Sequence, residues 1–313
     1  MAELKLKFDS DQQFQKDAVN SIVDVFDGQA LKQSKFTVSV SENMLGKHTE
    51  LGYANKLDLT PEDLLRNVIK IQDRNHLKRS EGLIDADYDA PNFAVEMETG
   101  TGKTYVYTRT ILELHKKYGF TKFIIVVPGV AIREGVNKSF DVTQEHFVEL
   151  YQGQQFNYFI YNSDRLTEVR NFATSEGIEI MIINIDAFRK GFEEETSSNK
   201  NAARIHKEND KMEGRKPIDF IKDTNPIVII DEPQSVDNTE KSKEAIKALN
   251  PMCIIRYSAT HRNTYNLMYK LGPVEAYENK LVKMIEVAEV DGVGDGAFMK
   301  LEAVKKLPNG SYS

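Results

Sequence analysis

Five short apolar runs, at 93–97, 123–127, 178–185, 227–230 and 253–257, constrain this chain more than any other feature. They are rich in Val and Ile, and each is followed by a turn or helix signal. A strand with one wet face alternates apolar and polar residues, whereas a strand apolar throughout is buried on both faces. The intervals leave room for crossover helices, including one predicted over 105–118. An α/β fold follows, with a parallel sheet and helices on both faces. The 313 residues, at roughly 150 per domain, accommodate two domains or one large domain with insertions.

Around this core the sequence predicts a helix over 12–26, from the spacing of Phe14, Ala18, Ile22 and Val25. A second helix starts at Thr60, with Pro61 at its first position and Glu62 and Asp63 in its first turn, and runs to about His76. Arg66, Lys70, Arg74 and Lys78 recur every four residues along it; the reading is a solvated face, with Glu62 pairing to Arg66. Residues 190–216 are a mixed-charge surface insertion. The expected division is an N-terminal helical segment at 1–40, a helical insertion at 41–90, the α/β core at 91–265, and a linker at 266–313.

Lys+Arg 41 against Asp+Glu 48 gives a net charge of −7, which argues against a surface that coats nucleic acid but leaves room for a local basic groove. The single cysteine, Cys253, permits no internal disulfide. No apolar run approaches the ~20 residues that span a bilayer, and the N-terminus has no apolar signal stretch. A cytoplasmic location away from membranes is expected. The histidines at 48, 76, 115, 146 and 206 have no metal-ligand spacing.

Glu98-Thr99-Gly100-Thr101-Gly102-Lys103-Thr104 lies between a strand candidate and a helix candidate. Glycines let successive N–H groups turn inward onto phosphate oxygens, and the helix adds its positive N-terminal end. In such a loop Thr99 to Gly102 cradle ATP, Lys103 reaches the β- and γ-phosphates, and the Thr104 hydroxyl ligates Mg2+. The usual glycine five residues before Gly102 is replaced by Met97. Further on, the run 227–230 ends in Asp231 and Glu232. Parallel sheets bind ligands at the carboxyl ends of their strands, the edge that also holds the loop. Asp231 is then suited to hold Mg2+ through water, and Glu232 to activate the attacking water. Ser258, Thr260 and His261 follow the next strand, where they are expected to bond Asp231 or Glu232 and sense the γ-phosphate.

Together METGTGKT, DEPQ and SATH resemble motifs of the superfamily 2 helicases and translocases. The phrase NPIVIIDEPQSVDN resembles more narrowly the Res subunit of type III restriction-modification enzymes, as do VVPGVAIREGV, INIDAF and LGPVEAYENKLVKMIEV. The resemblance implies a RecA-like P-loop NTPase fold and an ATP-hydrolysing motor that enables site-specific cleavage of double-stranded DNA. The partner it implies is a methylation subunit that recognises the DNA sequence. It assigns adenine reading to Gln15, with Gln12 as the alternative, and coupling to Gln234 along with Ser258, Thr260 and His261. Pro128, Arg133, Asn184 and Asp186 become DNA-contact candidates. Alternatives are another superfamily 2 helicase, or a nucleotide-gated binding module without useful turnover.

Such motors clamp ATP between two RecA-like domains, and the second supplies an arginine. The 52 residues (313 − 261) after His261 are too few for a second domain of ordinary size. Glu275, Glu278 and Lys280 lie too close together for a nuclease site. The chain is expected to be the N-terminal part of a larger subunit, feeble in hydrolysis and unable to cut DNA.

Overall fold

A computed structural model describes residues 8–43, 46–85, 87–162, 164–186, 205, 215–261 and 264–282. All of these fall within one unit, Met1–Val282. Most of the insertion at 190–216, Phe188 of INIDAF, and everything from 283 onward lie outside the described residues.

The strands are β1 (Ser34–Asn43), β2 (Gly46–Ala54), β3 (Ile84–Asp85), β4 (Ala90–Met97), β5 (Lys122–Val127), β6 (Phe156–Ile160), β7 (Ile178–Asn184), β8 (Ile227–Asp231), β9 (Cys253–Ser258) and β10 (Asn266–Leu271). The helices are α1 (Gln13–Val23), α2 (Pro61–Arg74), α3 (Lys103–Tyr118), α4 (Val130–Leu150), α5 (Leu166–Thr174), α6 (Pro217–Asp223), α7 (Pro233–Val236), α8 (Glu240–Lys247) and α9 (Pro273–Glu278). Seven strands pair in parallel in the order β10-β4-β9-β8-β5-β7-β6, and β3 pairs antiparallel with the start of β4.

The five apolar runs are the central strands. Along β5, Phe123, Ile125 and Val127 enter the core on one face, while Ile124 and Val126 enter the core on the other. The first core is closed by α1, α2, α3 and α4 through residues such as Ala18, Val68, Val106 and Phe140. The second is closed by α5, α6 and α8 through Val169, Ile221 and Ile246. Burying apolar surface on both faces is worth about 25 cal/mol per Å2, and any central strand shifted by one residue would exchange its side chains between the two cores.

Helix α2 begins as its sequence demands. Thr60 and Asp63 form a capping box, the Asp63 N–H donating to Thr60 Oγ1 at 3.2 Å and the Thr60 N–H to Asp63 Oδ2 at 3.3 Å. Leu64, Val68 and Ile71 face the core. Arg66 pairs with Asp63, not with Glu62, and Arg74 with Asp24 at 2.8 Å, so much of the basic stripe is neutralised at the surface.

Two elements differ from the sequence reading. Residues 41–90 are not wholly helical: they hold the end of β1 and all of β2, an antiparallel pair with Ser34 opposite Ala54. The linker expected from 266 begins with β10, a sheet-edge strand in which Leu271 pairs with Met97. The Leu271 carbonyl accepts the Glu98 N–H at 3.1 Å, so β10 steadies the point where β4 enters the glycine loop.

Candidate nucleotide site

The parallel strands deliver their carboxyl ends to one edge, and the glycine loop stands there after β4. Gly100 (φ +85°) and Gly102 (φ +88°) both occupy the left-handed region that side chains disfavour. The turn is held from below, with the Thr101 N–H and Oγ1 both donating to the Glu98 carbonyl, at 3.2 and 2.6 Å. Helix α3 starts directly after Gly102 with no side-chain cap, so its leading N–H groups remain available to an anion. A Cβ on Gly100 would meet open space, whereas one on Gly102 would sit 2.9 Å from Gln15 Nε2. Gly102→Ala is therefore expected to destabilise the chain by about 1–2 kcal/mol, the cost of the left-handed conformation, and to push Gln15 off the loop. Thermal melts and nucleotide affinity check this; an unchanged variant would contradict the packing.

Lys103 projects from the first turn of α3 toward the sheet edge. Its Nζ donates to the Met97 carbonyl at 3.4 Å and lies 3.2 Å from Glu232 Oε1. That ion pair crosses from β4 to β8 over the intervening β9. Glu232 itself has φ +54°, an uncommon conformation for a residue with a side chain, and it occupies the cap position just before the short α7. Its Oε2 accepts from Gln234 Nε2 at 2.7 Å and from Ser258 Oγ at 3.1 Å. Ser258 Oγ also lies 3.0 Å from Gln234 Oε1 and 2.7 Å from the Thr260 carbonyl. One hydroxyl proton faces three acceptors, so its direction depends on the state of Glu232.

Asp231 is buried at the end of β8. Burial, with the adjacent Glu232 carboxylate, pushes its carboxyl up to about 6, against the pull of Lys103 and of Tyr107, whose hydroxyl donates to Oδ2 at 3.4 Å. For Glu232, burial acts upward but is outweighed by hydrogen bonds from Gln234, Lys103 and Ser258, which leave it below the ordinary carboxylate range. The two neighbours are thus driven apart, one reluctant to ionise and one held ionised. Among the described residues no three His, Cys, Asp or Glu side chains gather as a metal cluster. A cation here would need oxygen ligands from Thr104 and from the bound anion, besides Asp231.

Gln15 on α1 donates from Nε2 to the Thr101 carbonyl at 3.1 Å, while Gln12 donates to Asp9 Oδ2 at 2.7 Å. Of the two, Gln15 is bonded to the loop. Both line a cavity of about 520 Å3 beside Gly100–Gly102, with Phe8 and Tyr105 among its walls. Those two rings stack at 6.3 Å between centroids. Sequence reasoning assigned neither a role; an aromatic before a Gln-bearing helix, and another in the first turn after Lys103, were the available signals.

Residues 11–263 match the family described as "Type III restriction enzyme, res subunit". This chain belongs to that family. It is 33% identical over 251 residues to the type III restriction-modification enzyme EcoPI Res subunit of Escherichia phage P1, a match covering 74% of this chain and 24% of the relative. It is 32% identical over 243 residues to the EcoP15I Res subunit of Escherichia coli, with the same coverage of both chains. The StyLTI Res subunit of Salmonella typhimurium is 30% identical over 250 residues, covering 69% of this chain and 24% of its own. The chain thus spans about a quarter of the length of these relatives. Among solved structures, a DNA-bound DUF1998 helicase, MrfA, aligns over 77% of this chain and 32% of its own at 13% identity, with a TM-score of 0.33. That likeness is too slight to bear on function.

The remaining candidates of this res-family chain lie on the same edge. Val127 pairs with Asn184, which sets Pro128 beside the end of β7. Asn184 is buried and its Oδ1 accepts the Asp186 N–H at 2.9 Å, so its side chain shapes its own turn. Arg133, in the first turn of α4, bonds Glu134 at 2.7 Å. Val130 and Ile132 of the same turn are exposed. His261 stands apart from the expected position: its imidazole is buried with Nδ1 3.4 Å from Glu96 Oε1, and its backbone N–H donates to that oxygen at 3.3 Å. It meets neither Asp231 nor Glu232 through a hydrogen bond. The reason is geometric, since the chain after Ser258 turns toward β4, where Glu96 pairs in register with Ser258 and also binds Lys270 at 3.1 Å. Burial lowers the imidazole below its ordinary range.

Proposed function

We propose that this chain binds MgATP at the loop 98–104 and forms the DNA-dependent ATPase portion of a type III restriction subunit. The observation that carries the reading is the 3.2 Å contact of Lys103 Nζ with Glu232 Oε1, which joins the glycine loop to the acidic strand end. Thr99 to Gly102 and the start of α3 would receive the phosphates, Lys103 would trade Glu232 for the β- and γ-phosphates, and Gln15 would meet the adenine against Phe8 or Tyr105. Thr104 and Asp231 would hold Mg2+, which when bound neutralises phosphate charge. Glu232, kept ionised, is suited to take a proton from the attacking water. Gln234, Ser258 and Thr260 would report the change at Glu232 to neighbouring segments, and His261 would act on the loop through Glu96.

The wider assignment takes its support from relatives that are Res subunits of type III restriction-modification enzymes: the chain would serve in a restriction-modification assembly, acting on double-stranded DNA together with a methylation subunit. Pro128, Arg133, Asn184 and Asp186 are the proposed DNA edge. A cytoplasmic site of action accords with the buried, unpaired Cys253. Among the described residues no helix is long and apolar enough to cross a membrane.

The Asp231 carboxyl provides a test with a definite sign. A carboxyl near 6 when folded, against 3.8 as the reference value, binds its proton more tightly in the folded chain. Its contribution to stability is present below pH 4 and is lost as pH rises through 6, to the extent of roughly 3 kcal/mol. Magnesium needs the ionised form, so Mg2+-dependent nucleotide affinity should run the other way, weakening as pH falls below 6. Asp231→Asn is expected to raise the melting temperature of the nucleotide-free chain at pH 7.5 by several degrees and to abolish the Mg2+ dependence. Calorimetric titrations across pH 5–8 with paired melts measure both. A pH-flat wild-type affinity, with no gain in stability for D231N, would contradict the assignment.

A further inference from the structure

We infer that Tyr107 is a positioning residue for Asp231, its phenol holding the carboxylate in the orientation that a magnesium–nucleotide requires. The inference rests on the nucleotide reading above and extends it to a residue outside every motif. Tyr107 is fully buried, three residues after Thr104 and therefore on the same face of α3. Its hydroxyl donates to Asp231 Oδ2 at 3.4 Å. A hydroxyl taken from water without a partner costs several kcal/mol by transfer measures, so a tyrosine persists at such a depth where its oxygen has work that phenylalanine cannot do.

The ring is fixed from the adjacent strand. Tyr107 packs edge-to-face on Tyr257, with centroids 5.5 Å apart, and Tyr257 is the register partner of Asp231 on β9. The Tyr257 hydroxyl faces Thr110 Oγ1 at 3.1 Å and, among the described residues, bonds neither Asp231 nor Glu232. The two buried phenols thus form an internal comparison: same ring contact, same depth, but only one aimed at the acidic strand end. A phenol is a donor at neutral pH, and a donor on one carboxylate oxygen favours the ionised form and fixes its rotamer, leaving the second oxygen to the cation's water shell.

The experiment compares ADP binding with and without Mg2+ at pH 7.5, by calorimetry, in the wild type, Tyr107→Phe and Tyr257→Phe. Both variants keep the ring and its packing. In Y107F, Mg2+-free ADP affinity should stay within about twofold, while the gain in affinity on adding Mg2+ should shrink about fivefold, the effect of one hydrogen bond of ordinary net strength. Y257F should keep the wild-type gain. A Y107F protein with the full Mg2+ gain, or a Y257F protein that loses as much, overturns the inference and leaves the nucleotide reading standing. A wild type that binds no ADP under either condition overturns both.

Discussion

Glu232→Gln should leave nucleotide bound and stop its hydrolysis. A glutamine preserves the size of the side chain and its place between Gln234 and Ser258, but it cannot accept a proton from water. Loss of a general base of this kind lowers turnover by about 10²–10⁴-fold. Binding should move in the opposite direction. In the nucleotide-free chain Glu232 is the anionic partner of Lys103 at 3.2 Å, and an arriving phosphate must displace it. With the charge removed, Lys103 is released to the phosphate and ATP affinity should rise by a few-fold. Phosphate release in the full restriction assembly, alongside ATP titration of the chain, measures the two effects. Turnover within twofold of the wild type would show that Glu232 is a structural anion, while DNA cleavage that survives the loss of hydrolysis would favour a nucleotide-gated switch over a motor.

Lys103→Ala removes the cation that both carboxylates lean on. A hydrogen bond between charged groups is worth about 1.5–3 kcal/mol, so ATP affinity should fall by ~10–100-fold. The change in fold stability should be far smaller. Glu232 is 26% exposed and bonded by Gln234 and Ser258, so water and those donors absorb the loss of its ion pair. Asp231 should become still harder to ionise, since Lys103 is one of the groups that pulls its carboxyl down. Melting curves and nucleotide titrations of the same samples separate the two consequences. Equal affinity in wild type and K103A would remove the loop from the site.

The parts of the fold legible in the sequence were those where nearly every position carries the same signal. The central strands β4, β5, β7, β8 and β9 are buried at almost every residue, so a run apolar at nearly every position identifies each of them, with Glu96, Glu179 and Arg256 as interruptions. The edge strands escaped for the converse reason. β6 reads FNYFI and β10 reads NLMYKL, mixed in polarity because one side of each faces out, and neither resembles a two-faced core strand. The hairpin β1–β2 did carry a signal in its first strand, where Phe36, Val38 and Val40 alternate with Lys35, Thr37, Ser39 and Ser41, but its second strand, GKHTELGYA, has no such alternation to pair with it.

The same division runs through the site. Residues whose chemistry depends on local order, the glycine loop and the Asp231-Glu232 pair, were legible because a loop after one strand and an acid pair after another must share an edge. What was not legible depended on how side chains turn in space. His261 was expected at the acidic pair and instead faces Glu96, since the chain after β9 bends toward β4. Tyr107 looked like an ordinary core aromatic in sequence, and only its 3.4 Å approach to Asp231 distinguishes it.

A triphosphate resting against the amides before Lys103 is what every role assigned to Asp231, Glu232 and Tyr107 requires. Isothermal titration of the unaltered chain with MgATP at pH 7.5, run beside K103A, tests that most directly. One saturable site per chain, at least tenfold weaker in the variant, is the predicted result. No heat from the wild type, or identical isotherms from the two proteins, would contradict it.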